Sequence, residues 1–143
     1  MTQPTDKQLA TLGAAFNTFT RRYKLADALG PEKPLNELDK QALFYVAEHP
    51  ECGPSDIARF LAVPHTTISS ATDRLAKRGL LKRTRPEEDR RAVALDLSDE
   101  GRRRVEGFLA AYRELHLRML QPLSTAERDA FVGMITKIVY DEG

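Results

Sequence analysis

Residues 53–97 read GPSDIARFLAVPHTTISSATDRLAKRGLLKRTRPEEDRRAVALDL, and the changes of period inside this stretch decide the fold. Gly53-Pro54 is a helix start, because glycine is tolerated at the cap and proline suits the first helical position. Ile57, Ala58 and Leu61 form the inner face of a short helix that has to stop near Pro64. A second helix runs from about Pro64 to Arg78 and ends at Gly79, the usual residue type just past a helix C-terminus. Only a few residues separate the two, the spacing of a helix-turn-helix. The period then drops to two. Leu81–Arg85 reads as a strand, and Val93, Leu95 and Leu97 alternate with Ala94 and Asp96 as a second strand with one buried face. Pro86–Arg91 is polar and turn-forming, so the pair is a β-hairpin with a charged tip. A helix-turn-helix followed by such a hairpin is a winged helix.

Turning 100° per residue about the helix of Pro64–Arg78 separates its two sides. Ile68, Ala71, Thr72 and Leu75 gather on the side that packs; Thr66, Ser70, Asp73 and Lys77 fall opposite, flanked by Thr67, Ser69 and Arg74. The outward face is small, polar and hydrogen-bonding, which suits entry into a DNA major groove where short side chains let a helix approach base edges. His65, Thr66, Thr67, Ser69, Ser70, Arg74 and Lys77 are the candidate reading residues. Asp73 can accept from a cytosine amine or pair with Lys77 four residues along, and the pair is the preferred reading.

Charge agrees with this placement. The 143 residues carry a net charge of only +1, yet residues 53–91 hold nine Lys/Arg against five acids, leaving thirteen basic and sixteen acidic residues elsewhere. A basic middle between mildly acidic ends marks a polyanion surface on part of the molecule. At 41% hydrophobic and 30% charged residues the composition is that of a globular domain with a substantial core. No apolar run approaches the ~20 residues of a membrane helix, and Met1–Leu9 has no signal-peptide core, so a cytoplasmic location is expected.

The flanks read as helices. Leu9, Leu12, Phe16, Phe19 and Tyr23, at steps of three and four, make a stripe along residues 7–29, which Gly30-Pro31 breaks. Asn36 can cap the next helix, with Glu37 and Asp39 in its first turn and Leu38, Ala42, Leu43 and Val46 as its buried face. Beyond the hairpin, Ser98 caps a long helix striped by Val105, Phe108, Tyr112, Leu115 and Met119, which Pro122 ends. Ser124–Glu127 is a capping box opening a last helix with Phe131, Met134, Ile135 and Ile138 on one face. These terminal stripes have no sheet to cover; their simplest burial is against each other and a second copy of the chain.

The run Asp89-Arg90-Arg91-Ala92-Val93-Ala94-Leu95-Asp96-Leu97-Ser98-Asp99-Glu100-Gly101 resembles the wing signature of the MarR (multiple antibiotic resistance) family of transcriptional regulators. Ile57-Ala58 to Leu61, and Ile68-Ser69 to Leu75 with Arg78-Gly79-Leu80-Leu81, agree with it in order and separation. The resemblance covers essentially the whole chain, residues 1–143, and implies one mainly α-helical domain with a small β-hairpin. In it, residues 36–97 form the winged helix-turn-helix, with the wing at about 81–97, while helices in 7–29 and 98–142 form a dimer interface. It implies a homodimer whose recognition helices enter major grooves of a pseudo-palindromic operator in double-stranded DNA, as a repressor relieved by a small ligand. Carried over by position, Asp89 would orient Arg91, and Arg90 or Arg91 would enter the minor groove; Arg83 and Arg85 complete the wing's candidate contacts. Ser70 departs from the family, where many relatives have Arg, and Pro64 stands where a Ser or Thr cap is common.

Phe16, Tyr23, Tyr45 and His49 are candidate ligand-lining residues for the small aromatic acids or phenols that members of the family bind. Core and dimer packing is the plainer reading for most of the aromatic set Phe16, Phe19, Tyr23, Phe44 and Tyr45. Cys52 has no Lys or Arg beside it in sequence to lower its pKa, so it reads as a plain thiol rather than a redox sensor. His49-x-x-Cys52 lacks a second cluster for a metal site, and no catalytic motif or cofactor loop is present. The alternatives are a DNA-binding regulator without a small-molecule ligand and, from another class, a winged-helix protein-interaction module, which would lack steep salt dependence.

Overall fold

In the computed structural model the described residues are 2–24, 32–85, 87–88 and 92–141. The chain divides into two compact units, Met1–Gln41 and Ala42–Gly143, each described in turn.

The first unit opens with α1 (Asp6–Phe19), started by a reciprocal capping box in which Gln8 N–H donates to Thr5 Oγ1 (3.1 Å) and Thr5 N–H to Gln8 Oε1 (2.9 Å). The stripe predicts a helix along 7–29; in the structure α1 ends at Phe19 and the helical path continues as a π-helical turn over Thr20–Lys24. The wider turn brings the Phe19 and Tyr23 rings to 4.9 Å. Residues 25–29 of that expectation lie outside the described residues. Leu9, Leu12 and Phe16 are exposed and no residue of α1 is buried. Asn36 caps α2 (Glu37–Glu48) as expected, its Oδ1 accepting from Asp39 N–H at 2.8 Å. Asp39 itself is buried, although an acid in a first turn reads as a solvated one.

The second unit contains the winged helix. Ala42, Leu43 and Val46 of α2 are buried, matching the stripe, while Leu38 in the first unit is only half-buried. α3 (Pro54–Leu61) starts with Pro54 at its first position, and the Asp56 carboxylate accepts from Gly53 N–H (2.9 Å). It ends on Ala62 in the left-handed region (φ 56°), two residues before Pro64, and Val63 N–H returns to Ala58 O at 3.1 Å. α4 (His65–Lys77) follows, then Gly79 at φ +75° turns the chain into β1 (Leu81–Thr84). β1 pairs antiparallel with β2 (Ala94–Leu97) in the register Leu81↔Leu97 and Arg83↔Leu95. Both strands are shorter than the alternation implies: Arg85 and Val93 lie just beyond the ladder. Leu43, Ile57, Ile68, Leu75 and Leu95 are fully buried, and the elements pack α3 on α4 and α4 on β1. Each such side chain stabilises the fold by roughly 1.5–3 kcal/mol relative to leaving it in water.

α5 (Asp99–Leu120) is capped by Ser98, whose Oγ accepts from Gly101 N–H (2.9 Å). Phe44 of α2 meets Phe108 and Tyr112 of α5 at 5.9 and 6.1 Å between ring centroids, with the Arg104 guanidinium over Phe108. This accounts for Phe44 as packing. α6 (Thr125–Tyr140) begins with the expected capping box, Glu127 N–H to Ser124 Oγ and Ser124 N–H to Glu127 Oε1; the Ser124 backbone N–H first, then its side chain, hold the Glu127 carboxyl below its ordinary pKa. No residue of α6 is buried, and Ile138 and Tyr140 are 72% and 77% exposed.

Candidate nucleic-acid interface

α4 presents the two sides expected of it. Ile68, Ala71, Thr72 and Leu75 are its buried residues, with Thr72 Oγ1 donating to Ser69 O (3.1 Å) so that a polar atom enters the packed side already satisfied. His65, Thr66, Ser70, Asp73, Arg74 and Lys77 are exposed, and Thr67 and Ser69 half-buried on the flanks. No side chain caps the helix; Pro64 precedes it with an extended backbone, and its carbonyl accepts from Thr67 and Ile68 N–H (3.1 and 3.3 Å). Ser69 Oγ lies 3.3 Å from His65 Nδ1, so these two groups brace each other along one edge of the exposed face.

The Asp73–Lys77 pairing is corrected. The Asp73 carboxylate instead receives the Arg83 guanidinium from β1, ten residues away. Leu81 and Arg83 share one side of the strand by its period of two; Leu81 is buried, and Arg83, one step nearer the wing, reaches Asp73 on the exposed side of α4. Sequence spacing favours partners three or four residues along a helix and carries no signal for this one.

Arg83 and Asp73 help to line a cleft of about 370 Å³ with Gly53, Pro54 and Ser55 at the start of α3, and His65 and Ser69 on α4. The wing root is therefore tied to α4 and borders the start of α3 across this cleft. Arg85 is exposed at the end of β1. Asp89, Arg90 and Arg91, the wing-tip residues of the sequence reading, lie outside the described residues.

The root has a third partner that the sequence reading leaves as a plain connection. Leu95 N–H donates to Cys52 O (2.8 Å) and Glu51 N–H to Leu95 O (3.0 Å), a one-residue antiparallel bridge beside β2. Glu51 takes φ 67° there, and its N–H also meets Asp96 Oδ1 at 2.9 Å. Cys52 is buried in this bridge. Burial first, then the nearby Asp56 charge, pushes its thiol up to about 11. That is the opposite of an activated thiolate and agrees with the plain reading. Among the described residues no group of three or more His, Cys, Asp or Glu is arranged to hold a metal ion, and no helix is long and apolar enough to cross a membrane.

Of the candidate ligand residues, Tyr45 and His49 stack at 4.1 Å, and His49 Nδ1 lies 3.1 Å from Tyr45 O. Phe60, which the sequence reading leaves out, brings its ring to 5.0 Å from Tyr45 while remaining 67% exposed. Its signal was present as an apolar residue one step off the inner face of α3. Phe16 and Tyr23 belong to the first unit, where Phe19, Arg22 and Tyr23 border an open hollow of about 420 Å³.

Comparison with known proteins agrees with this architecture. The family model of the MarR family matches residues 34–92. The HTH-type transcriptional repressor YetL of Bacillus subtilis is 30% identical over 93 residues, covering 65% of this chain and 56% of its own length. The chain thus spans little more than half of that relative. YwhA of Bacillus subtilis, an uncharacterized HTH-type transcriptional regulator, is 25% identical over 127 residues, 89% of this chain and 91% of its own. Among solved structures, Streptococcus pneumoniae FabT in complex with DNA superposes with a TM-score of 0.78 at 20% identity, covering 90% of both chains. A probable transcriptional regulator from Pseudomonas aeruginosa is 31% identical, with a TM-score of 0.63 over 89% of this chain and 96% of that one.

Proposed function

The chain belongs to the MarR family of transcriptional regulators, and we propose that it acts as a homodimer that binds a pseudo-palindromic DNA operator and represses transcription. The observation that carries this reading is α4: one side wholly packed, the other exposed, small and hydrogen-bonding, beside a basic wing root. His65, Thr66, Thr67, Ser69 and Ser70 would meet base edges and sugars, and Arg74, Lys77 and Arg85 would meet phosphates. Phosphate contacts supply most of the affinity and base contacts the specificity. Arg90 or Arg91, with Asp89 orienting Arg91, would enter the minor groove, where a narrow, strongly negative channel favours guanidinium groups. Two recognition helices related by a two-fold axis require half-sites about one helical turn, roughly 10 base pairs, apart.

The second copy is supported by the apolar side chains left in water. Val132, Ile138, Val139 and Tyr140 on α6 and Leu109 and Leu117 on α5 are exposed in one chain, as are Leu9, Leu12 and Phe16 on α1. Exposed apolar area on this scale marks an interface. Relief of repression by a small aromatic ligand is the finer part of the proposal. The stacked Tyr45–His49 pair with Phe60 beside it supports an aromatic guest, and Phe16 and Tyr23 remain candidates on the first unit. A cytoplasmic location goes with the reading, since the DNA is there.

Selection of bound sequences from randomised duplex DNA at two salt concentrations tests it. An enriched inverted repeat, with affinity falling steeply as salt rises, is the expected result. Salt-insensitive behaviour with no enrichment overturns it in favour of a protein-interaction module. Replacing Arg90 and Arg91 together by Ala should weaken operator binding and lower the salt slope by about two; an unchanged slope removes the wing tip from the mechanism.

A further inference from the structure

Asp73 is an anomaly on a surface meant for a polyanion: a carboxylate on the exposed side of α4, among hydroxyls and cations. Among the described residues its partner is Arg83, across two elements that pack on each other. Ion pairs such as Arg59–Asp56 and Arg103–Glu100 stay within one turn of a single helix, where they add little. The Asp73–Arg83 pair instead ties the middle of the recognition helix to the strand that leads into the wing. We propose that Asp73 is a positioning residue that holds the Arg83 guanidinium on the protein and keeps it out of sequence-independent phosphate contact.

The argument is electrostatic, and it rests on the DNA-binding reading. A guanidinium at the wing root, on a flexible stem and half in water, is an efficient phosphate ligand on any DNA sequence. Each phosphate it neutralised would raise affinity for every duplex alike, so the protein would be held more tightly on random DNA with nothing gained in base recognition. Paired with Asp73, the same charge is partly neutralised by a directed contact from Arg83 Nη1 to the carboxylate. Arg83 in turn cancels the repulsion that a bare Asp73 would exert on the backbone. Both members are about half exposed, so the pair is reachable by DNA and its release is not blocked by burial.

The test measures the salt dependence of full-length protein on a duplex of random sequence, with a thermal melt of each variant alongside. Asp73→Asn should tighten binding at low salt by about threefold and steepen the slope of log affinity against log salt by about 0.9, one added phosphate contact. Asp73→Glu, which keeps the charge and the reach, should restore the wild-type slope. Arg83→Gln should flatten the slope by about 0.9 in the Asp73→Asn background and by much less in the wild type. A merely structural pair would move the melt and leave these slopes alone. A slope for Asp73→Asn equal to that of the wild type overturns the proposal, as does an equal effect of Arg83→Gln in both backgrounds. A wild type that shows no salt-dependent binding overturns the DNA-binding reading itself, and this inference with it.

Discussion

Gly101 sits in the first turn of α5, where an alanine would ordinarily favour a helix. Here a Cβ would stand 2.0 Å from the backbone oxygen of Leu80 and 3.0 Å from its carbonyl carbon. Backbone cannot swing aside as a side chain can, so Gly101→Ala has to part α5 from the turn between α4 and β1 until the contact reaches at least 3.4 Å. That turn is held by Ser98 N–H to Leu80 O (3.1 Å) and by Ser98 Oγ to Gly79 O, while the same Oγ caps Gly101 N–H. Losing one such bond costs about 0.5–1.5 kcal/mol, a weakened cap about 1, and overpacking about 1–3, so the substitution should destabilise by about 2–4 kcal/mol. For a chain of this length the melting temperature should fall by roughly 5–15 °C. Thermal and urea melts at one fixed protein concentration measure it, since an oligomer's stability depends on concentration. Gly107→Ala on the same helix is the control: nothing lies within 4 Å of its Cβ, so it should stabilise by up to about 1 kcal/mol. A melt of Gly101→Ala matching the wild type would refute the close approach.

Three further outcomes are expected. Cys52 should resist iodoacetamide at pH 8 in the folded protein and react on unfolding; because its folded pKa is raised, the stability it contributes is complete below about 9 and is lost as pH rises toward about 11, which alkaline melts would register. Ile138→Asp, on the most apolar exposed part of α6, should shift the protein toward monomer in sedimentation velocity, and an unchanged mass would take this face out of the dimer proposal. Asn36→Ala removes the cap on Asp39 N–H and should cost about 1 kcal/mol in urea denaturation, whereas a neutral result would mean that water replaces the cap.

Much of the candidate interface was legible because its signals are local. Helix caps at Asn36, Ser98 and Ser124 act over three residues, and the packed side of α4 follows from a period of 3.6. All four residues assigned to that side are buried. The same rule misled at Asp73, because partners three or four residues along are all that helical spacing can offer. It also missed the interruption after Phe19: a π turn depends on how a helix end is accommodated, not on which residues are apolar.

What the sequence determined by itself is the order of elements, the buried side of each, and the charge gathered around the wing, since periodicity, capping and composition are carried within a turn or two of chain. Tertiary structure alone decided that Asp73 meets Arg83, that Cys52 and Glu51 add a bridge beside β2, and that Gly101 can be nothing larger. These are meetings between groups on different elements, and their partners exist only once α4, the hairpin and α5 have packed. The apolar stripes of α1 and α6 have the same periodicity as those of the core helices, and only the folded chain shows them left in water. Period records that a face is apolar; what covers that face depends on the surfaces the rest of the fold has already used.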